Sequence, residues 1–222
     1  MTKRLPKKFN KPWGYEFRVD FSTEVTLTYL TILPGYKTSL HCHPTKTTSL
    51  TAIAGSGSLQ FLKDIQTFGA GSSIMIRNGL FHQVINSGTQ NLAVLEFENP
   101  SNAQDLVRLE DEYGRKNLGY ETNVNDPELT EIEKSFFDFI SDGEKWENGE
   151  TKLEIKFPAK TKLIPEHLAV YAVLSGGLED VLTKSLVLRP GDCTTSSTIE
   201  RLITSFKWTA ESKLLMILKK NK

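Results

Sequence analysis

The sequence has only two cysteines, Cys42 and Cys193, no excess of either charge, and no long apolar run. Two cysteines cannot build a disulfide framework, so a small stapled fold is excluded. Lysine plus arginine and aspartate plus glutamate number 27 each, giving zero formal charge. Balanced charge removes the electrostatic pull toward nucleic acid or an acidic membrane surface. No stretch approaches the roughly 20 apolar residues that span a bilayer. The basic N-terminus MTKRLPKKFNKPWG is not followed by an apolar segment and does not read as a secretory signal. The expectation is a soluble, cytoplasmic protein with neither nucleic-acid nor membrane partners. At 222 residues, 38% of them hydrophobic, the chain can bury one large or two small cores.

What is present is a succession of short β-like runs. TLTYLTIL, SLTAIAGSG, SLQFLKD, SSIMIRNG and LAVLEFENP occupy Val25 to about Glu98, separated by Gly, Pro and Asn turn signals. Short strands at this spacing predict an antiparallel sandwich or barrel. Residues 101–126 are polar and irregular and read as an arm or loop. NDPELTEIEKSFFDFISDG reads as a helix, with Asp126 as cap, Pro127 in the first position and Gly143 closing it. Leu129, Ile132, Phe136, Phe137 and Ile140 make an apolar stripe that should pack against a barrel. From Lys152 strands return as KLEIKFPA, HLAVYAVLSGG, KSLVLRPGD and KLLMILKK. AVLSGG echoes AIAGSG, and LRPGD echoes FGAGSSIMI, so the second half looks like a diverged copy of the first.

His41 and His43 stand two apart in GYKTSLHCHPTKTTSLTAIAG, so on a strand both imidazoles face one way. His82 lies on a later run. Three imidazoles converging in a barrel mouth suit Fe, Mn, Zn, Ni or Co and leave positions open for substrate. Cys42, between the two, should point away and be buried.

These landmarks resemble the two motifs of the cupin superfamily. Gly35, His41, His43 and Gly55 fall in register with the first, and Gly71, Gly79, His82 and Asn86 with the second. Thr48 occupies the first motif's glutamate position and Arg77 the second motif's proline position. The resemblance implies an all-β chain of two cupin (jelly-roll) barrels joined by a short helical segment. The expected division is a metal-binding barrel with its arm over residues 1–120, a linker helix over 121–150, and a degenerate barrel over 151–222. It also implies one divalent metal ion (Zn, Mn, Fe or Ni) per chain on His41, His43 and His82.

KPWGYEF, LPGYKTSLHCH and DLVRLEDEYGR narrow the resemblance to the cupin domain of type II phosphomannose isomerases, often fused to a mannose-1-phosphate guanylyltransferase. The similar stretch runs from Lys11 to Arg115. It implies a small-molecule carbohydrate substrate, a sugar phosphate or nucleotide sugar, and isomerase- or epimerase-like chemistry. Lys37, Arg77, Arg108 and Arg115 are candidates to hold a phosphate. Arg115 either does so or pins the arm through Glu110 or Asp111. Glu96 and Glu98 share a strand face, where one can act as the base or both can sit at the rim. Two alternatives remain open: a three-histidine iron dioxygenase, and a non-catalytic sugar-binding or regulatory cupin. In the second barrel Lys162, Ile164, Ala169 and Leu202 stand where His41, His43, Thr48 and His82 do. That barrel is expected to be metal-free and structural, with a homodimer interface among its possible uses.

Overall fold

Glycine turns cut the first half into strands much as the spacing predicts. The computed structural model describes residues 7–20, 24–102, 104–116, 124–125 and 129–220. Twelve strands lie in its first compact unit, Met1–Glu128. They are β1 (Lys7–Lys11), β2 (Gly14–Asp20), β3 (Thr26–Ile32), β4 (Leu40–Cys42), β5 (Thr47–Ala54), β6 (Ser56–Phe61), β7 (Ile65–Gly69), β8 (Ser73–Ile76), β9 (His82–Ile85), β10 (Leu92–Asn99), β11 (Val107–Glu110) and β12 (Val124–Asn125). One sheet runs β12-β1-β2-β3-β10-β5-β8 and the other β11-β4-β9-β6-β7.

Along the strands the inward residues change character. On β10 they are Leu92, Val94, Glu96 and Glu98 in order, because alternate residues share a face. Leu92 and Val94 join Leu30, Ile32, Leu50, Ala52, Leu59, Phe68 and Val84 in a core built from both sheets. Each of these side chains larger than alanine contributes about 2 kcal/mol by leaving water. The apolar end closes the barrel, while the opposite end, with Glu96, Glu98 and the histidines, stays polar.

The second unit, Leu129–Lys222, holds α1 (Glu131–Asp142), β13 (Lys145–Glu147), β14 (Thr151–Lys156), β15 (Val170–Ser175), β16 (Leu178–Glu179), β17 (Leu186–Leu188), β18 (Cys193–Thr195), α2 (Ser196–Leu202), β19 (Lys207–Trp208) and β20 (Lys213–Lys219). Its sheets run β13-β14-β20-β15-β18 and β17-β16-β19. The first repeats the order β2-β3-β10-β5-β8, and the second repeats β7-β6-β9. The chain is therefore all-β with two barrels of one design, the second abridged. Gly55 and Gly176 mark the same turn in each, with φ of 80° and 65°. A Cβ on Gly55 would lie 2.4 Å from the Asn91 carbonyl oxygen, and one on Gly176 would lie 2.5 Å from Thr209 Oγ1. Only glycine fits such turns.

The abridgement removes the counterparts of β4 and β11. Residues 157–169, which correspond to the stretch carrying His41 and His43, form no strand, and α2 follows β18 where a short turn joins β8 to β9.

Three details depart from the sequence reading. Val107–Glu110, expected within an irregular arm, is a strand paired with β4. Its alternation is inverted, with Arg108 buried and Val107 and Leu109 exposed, so periodicity conceals it. The helix starts at Glu131, where Thr130 and Glu133 form a reciprocal capping box; Asp126 and Pro127 lie outside the described residues. Its buried face is Glu133, Phe136, Phe137, Phe139 and Ile140, and Ile132 is exposed. The helix belongs to the second unit and packs on β13, with the Phe136 and Trp146 rings 5.5 Å apart.

Candidate metal centre

β4 and β9 meet with His41 directly opposite His82. His43 follows β4 on the same face as His41. The ring centroids lie 5.1 Å apart for His41 and His43, 4.5 Å for His41 and His82, and 5.7 Å for His43 and His82. One nitrogen from each ring falls within 4.8 Å of the others.

Each ring is oriented by a backbone carbonyl. Nδ1 of His41 lies 2.8 Å from the Ser39 oxygen, that of His43 2.6 Å from Asp105, and that of His82 3.0 Å from Leu80. An imidazole donating from Nδ1 keeps its Nε2 lone pair for a metal ion. The Nε2 atoms of His43 and His82 are buried without a hydrogen-bond partner, an expensive arrangement unless something binds there. The donor set therefore fits a divalent metal ion. Burial pushes the His82 ring down to about 4 and the His41 ring well below the ordinary histidine value, helped there by the two neighbouring rings. Burial also lowers His43, against the pull of Glu98. All three rings are thus neutral near pH 7, as ligation requires.

Asp105, the first residue of DLVRLEDEYGR, fastens this arrangement. Its carboxylate accepts the backbone N–H of Thr45 at 2.9 Å and of Lys46 at 2.8 Å, while its carbonyl holds His43. Burial alone would raise this carboxyl, but those hydrogen bonds hold it below the usual range. Asn86 has a comparable task in the second motif. Fully buried, it donates to the Ile32 and Gln90 carbonyls and accepts from Gly88 N–H.

A cavity opens over the histidines. Glu96, Arg108 and Arg115 line it, as do Glu98 and Lys46. Glu96 is pushed up to about 8 by burial and by its neighbours Glu98 and Glu16. Arg115 is fixed by Asp111, with Nη2 to Oδ1 at 2.6 Å and Nε to Oδ1 at 3.2 Å, and its ring neighbour is Tyr113. Lys37 is not on the cavity wall. Its Nζ pairs with Glu112 at 2.5 Å, and its carbonyl accepts the Tyr113 hydroxyl. Arg77 is exposed, and Cys42 is buried.

A family model described as mannose-6-phosphate isomerase C-terminal matches residues 2–111. The first half of this chain is similar to that cupin domain. Mannose-1-phosphate guanylyltransferase of Escherichia coli is 28% identical over 114 residues, covering 50% of this chain and 24% of that protein. The xanthan biosynthesis protein XanB of Xanthomonas campestris is 26% identical over 111 residues, covering 49% and 24%. The matched region thus spans about a quarter of those relatives. Among solved structures, the capsular polysaccharide assembling protein CapF of Staphylococcus aureus matches with a TM-score of 0.44 at 18% identity, covering 49% of this chain and 33% of that one. A sugar phosphate isomerase of the cupin superfamily from Silicibacter pomeroyi matches with 0.39 at 14%, covering 42% and 64%.

The first barrel also lines its cavity with groups that the spacing did not single out: Lys11, Glu16, Arg18 and Lys46. Glu16 and Arg18 alternate with Tyr15 and Phe17 on β2. That alternation of charged and aromatic residues was the available signal. Lys46 had none, because only the fold brings it under β10.

Proposed function

We propose that the N-terminal barrel binds one divalent metal ion on His41, His43 and His82 and acts on a sugar phosphate or nucleotide sugar, as an isomerase or epimerase. The observation that carries this reading is the set of three imidazoles with Nδ1 bound to backbone carbonyls and Nε2 turned together beneath a cavity lined by both acidic and basic groups. Similarity to the mannose-6-phosphate isomerase domain supports the substrate class.

A metal ion there supplies Lewis-acid polarisation of a carbonyl or hydroxyl oxygen. The chain's own residues supply the rest. Glu96, facing the cavity two residues from Glu98 on one strand face, moves the proton between neighbouring carbons. Arg108 and Arg115 hold the phosphate; a guanidinium carries five N–H donors, and Asp111 takes those on Nε and Nη2 of Arg115. Lys37 ties the arm through Glu112 instead of meeting substrate.

The second reading, a non-catalytic sugar binder, is favoured by Thr48 in place of the motif glutamate. Metal content of the untagged protein and a His82→Ala variant tests the site, and conversion of aldose to ketose phosphates tests the activity. The expected result is near-stoichiometric metal that the variant loses, with metal-dependent turnover. Substoichiometric metal in both proteins, after incubation with Fe(II), Mn(II), Ni(II) and Zn(II), removes the site. Oxygen uptake with the iron-loaded protein would favour a dioxygenase. Sugar-dependent stabilisation without turnover would favour the binder.

A further inference from the structure

The first cupin motif loses its carboxylate at Thr48, yet the buried site is not short of one. β10 pairs with β5 in a register that sets Glu98 directly opposite Thr48. Directly opposed residues of an antiparallel pair share one face, with Cβ atoms about 5 Å apart. Glu98 therefore stands on the inner face, one strand away from the place where the motif puts glutamate. We propose that Glu98 has taken over as the carboxylate ligand of the histidine site. This rests on the metal-binding reading given above and adds a fourth ligand to it.

Glu98 Oε1 lies 3.6 Å from His43 Nε2. Two donors each about 2.1 Å from one ion are separated by roughly 3–4 Å, so the spacing is that of two ligands sharing a metal. His43 is shared by the three-histidine cluster and a second cluster with Glu96 and Glu98, while Glu98 joins no cluster with His41 or His82 among the described residues. Ligation beside all three imidazoles therefore takes a rotation of the Glu98 side chain toward them from its contact with His43. Glu98 is 6% exposed, and a buried carboxylate is costly without partners. Lys46, itself 2% exposed, meets Oε1 at 2.5 Å. A carboxylate offers about four acceptor sites. The Lys46 ammonium occupies one and orients the group, leaving others for an ion, in the manner of an outer partner to a metal ligand. Glu96, two residues earlier on the same face, stays available for proton transfer. The Thr48 hydroxyl, buried without a hydrogen-bond partner, leaves the neighbouring position with no charge to compete.

The test compares wild type, Glu98→Gln, Thr48→Glu/Glu98→Gln and His82→Ala, using Co(II) as probe. Affinity is measured by chelator competition, and the visible d–d spectrum is recorded at saturating Co(II). Glu98→Gln, nearly isosteric, should bind at least about 10-fold more weakly, since losing even an outer partner of a ligand costs that much, with an altered spectrum. Moving the carboxylate back in the double variant should recover affinity. An unchanged spectrum in Glu98→Gln overturns the assignment whatever the affinity does. Failure of the underlying site reads differently: wild type and His82→Ala would then bind Co(II) equally poorly, and no comparison at Glu98 would be needed.

Discussion

Glu96 and the three histidines carry opposite pH signatures. Burial beside Glu98 and Glu16 raises the Glu96 carboxyl to about 8 in the folded chain, above its ordinary 4.5. Between those values the native state holds a proton that the unfolded chain releases, so stability falls as pH rises. The histidines are depressed below 6.5, His82 to about 4. There the unfolded chain takes up protons first, and stability falls as pH drops from about 6.5 toward 4. For metal-free protein, stability should therefore peak near pH 6.5. Its decline between about 6.5 and 8, worth about 2 kcal/mol at most, should flatten in Glu96→Gln. Urea titrations across that range check it, and an equal slope in the variant would refute the assignment to Glu96. At this scale the histidines were legible, because strand alternation and fixed motif spacing act along the chain. Lys46 was not, because its partner Glu98 lies 52 residues away and meets it only through the β5–β10 register.

At the scale of elements, the site depends on how β11 and the turn before it hold the end of β4. Asp105 binds two successive backbone N–H groups after His43, and Arg108, inward on β11, stands opposite His41. Cutting Asp105 to alanine leaves the Thr45 and Lys46 N–H groups without that acceptor. Hydrogen bonds to a charged group contribute about 1.5–3 kcal/mol each, and loss of a metal ligand's orienting partner costs about 10- to 100-fold in affinity. Asp105→Ala should lose about 3–6 kcal/mol of stability by chemical denaturation and weaken metal binding by about 10- to 100-fold. Unchanged metal affinity would mean that the Asp105 carbonyl alone suffices to set His43. The segment DLVRLEDEYGR was recognisable by resemblance, but not its strand. An edge strand with arginine inward and leucine outward runs against the burial pattern by which strands are read.

Across the whole molecule, the same strand order has been kept twice and the ligand-bearing strand only once. Repeated turns such as Gly55 and Gly176 made the duplication legible, because a turn needing positive φ admits little besides glycine. The loss of the β4 counterpart was only half legible, since Lys162 and Ile164 showed missing ligands but not a missing strand. Metal binding should therefore be felt unequally along the chain. An ion at about one hundred times its dissociation constant stabilises the state that binds it by about 2.7 kcal/mol, close to a 100-fold slowing of exchange for amides that open only with the site. Hydrogen exchange with and without saturating metal should slow within β4, β9, β10 and β11 and leave residues 129–220 unchanged. Equal slowing in both units would show that the second barrel opens together with the first. Slowing confined to the second would place the ion outside the three-histidine site altogether.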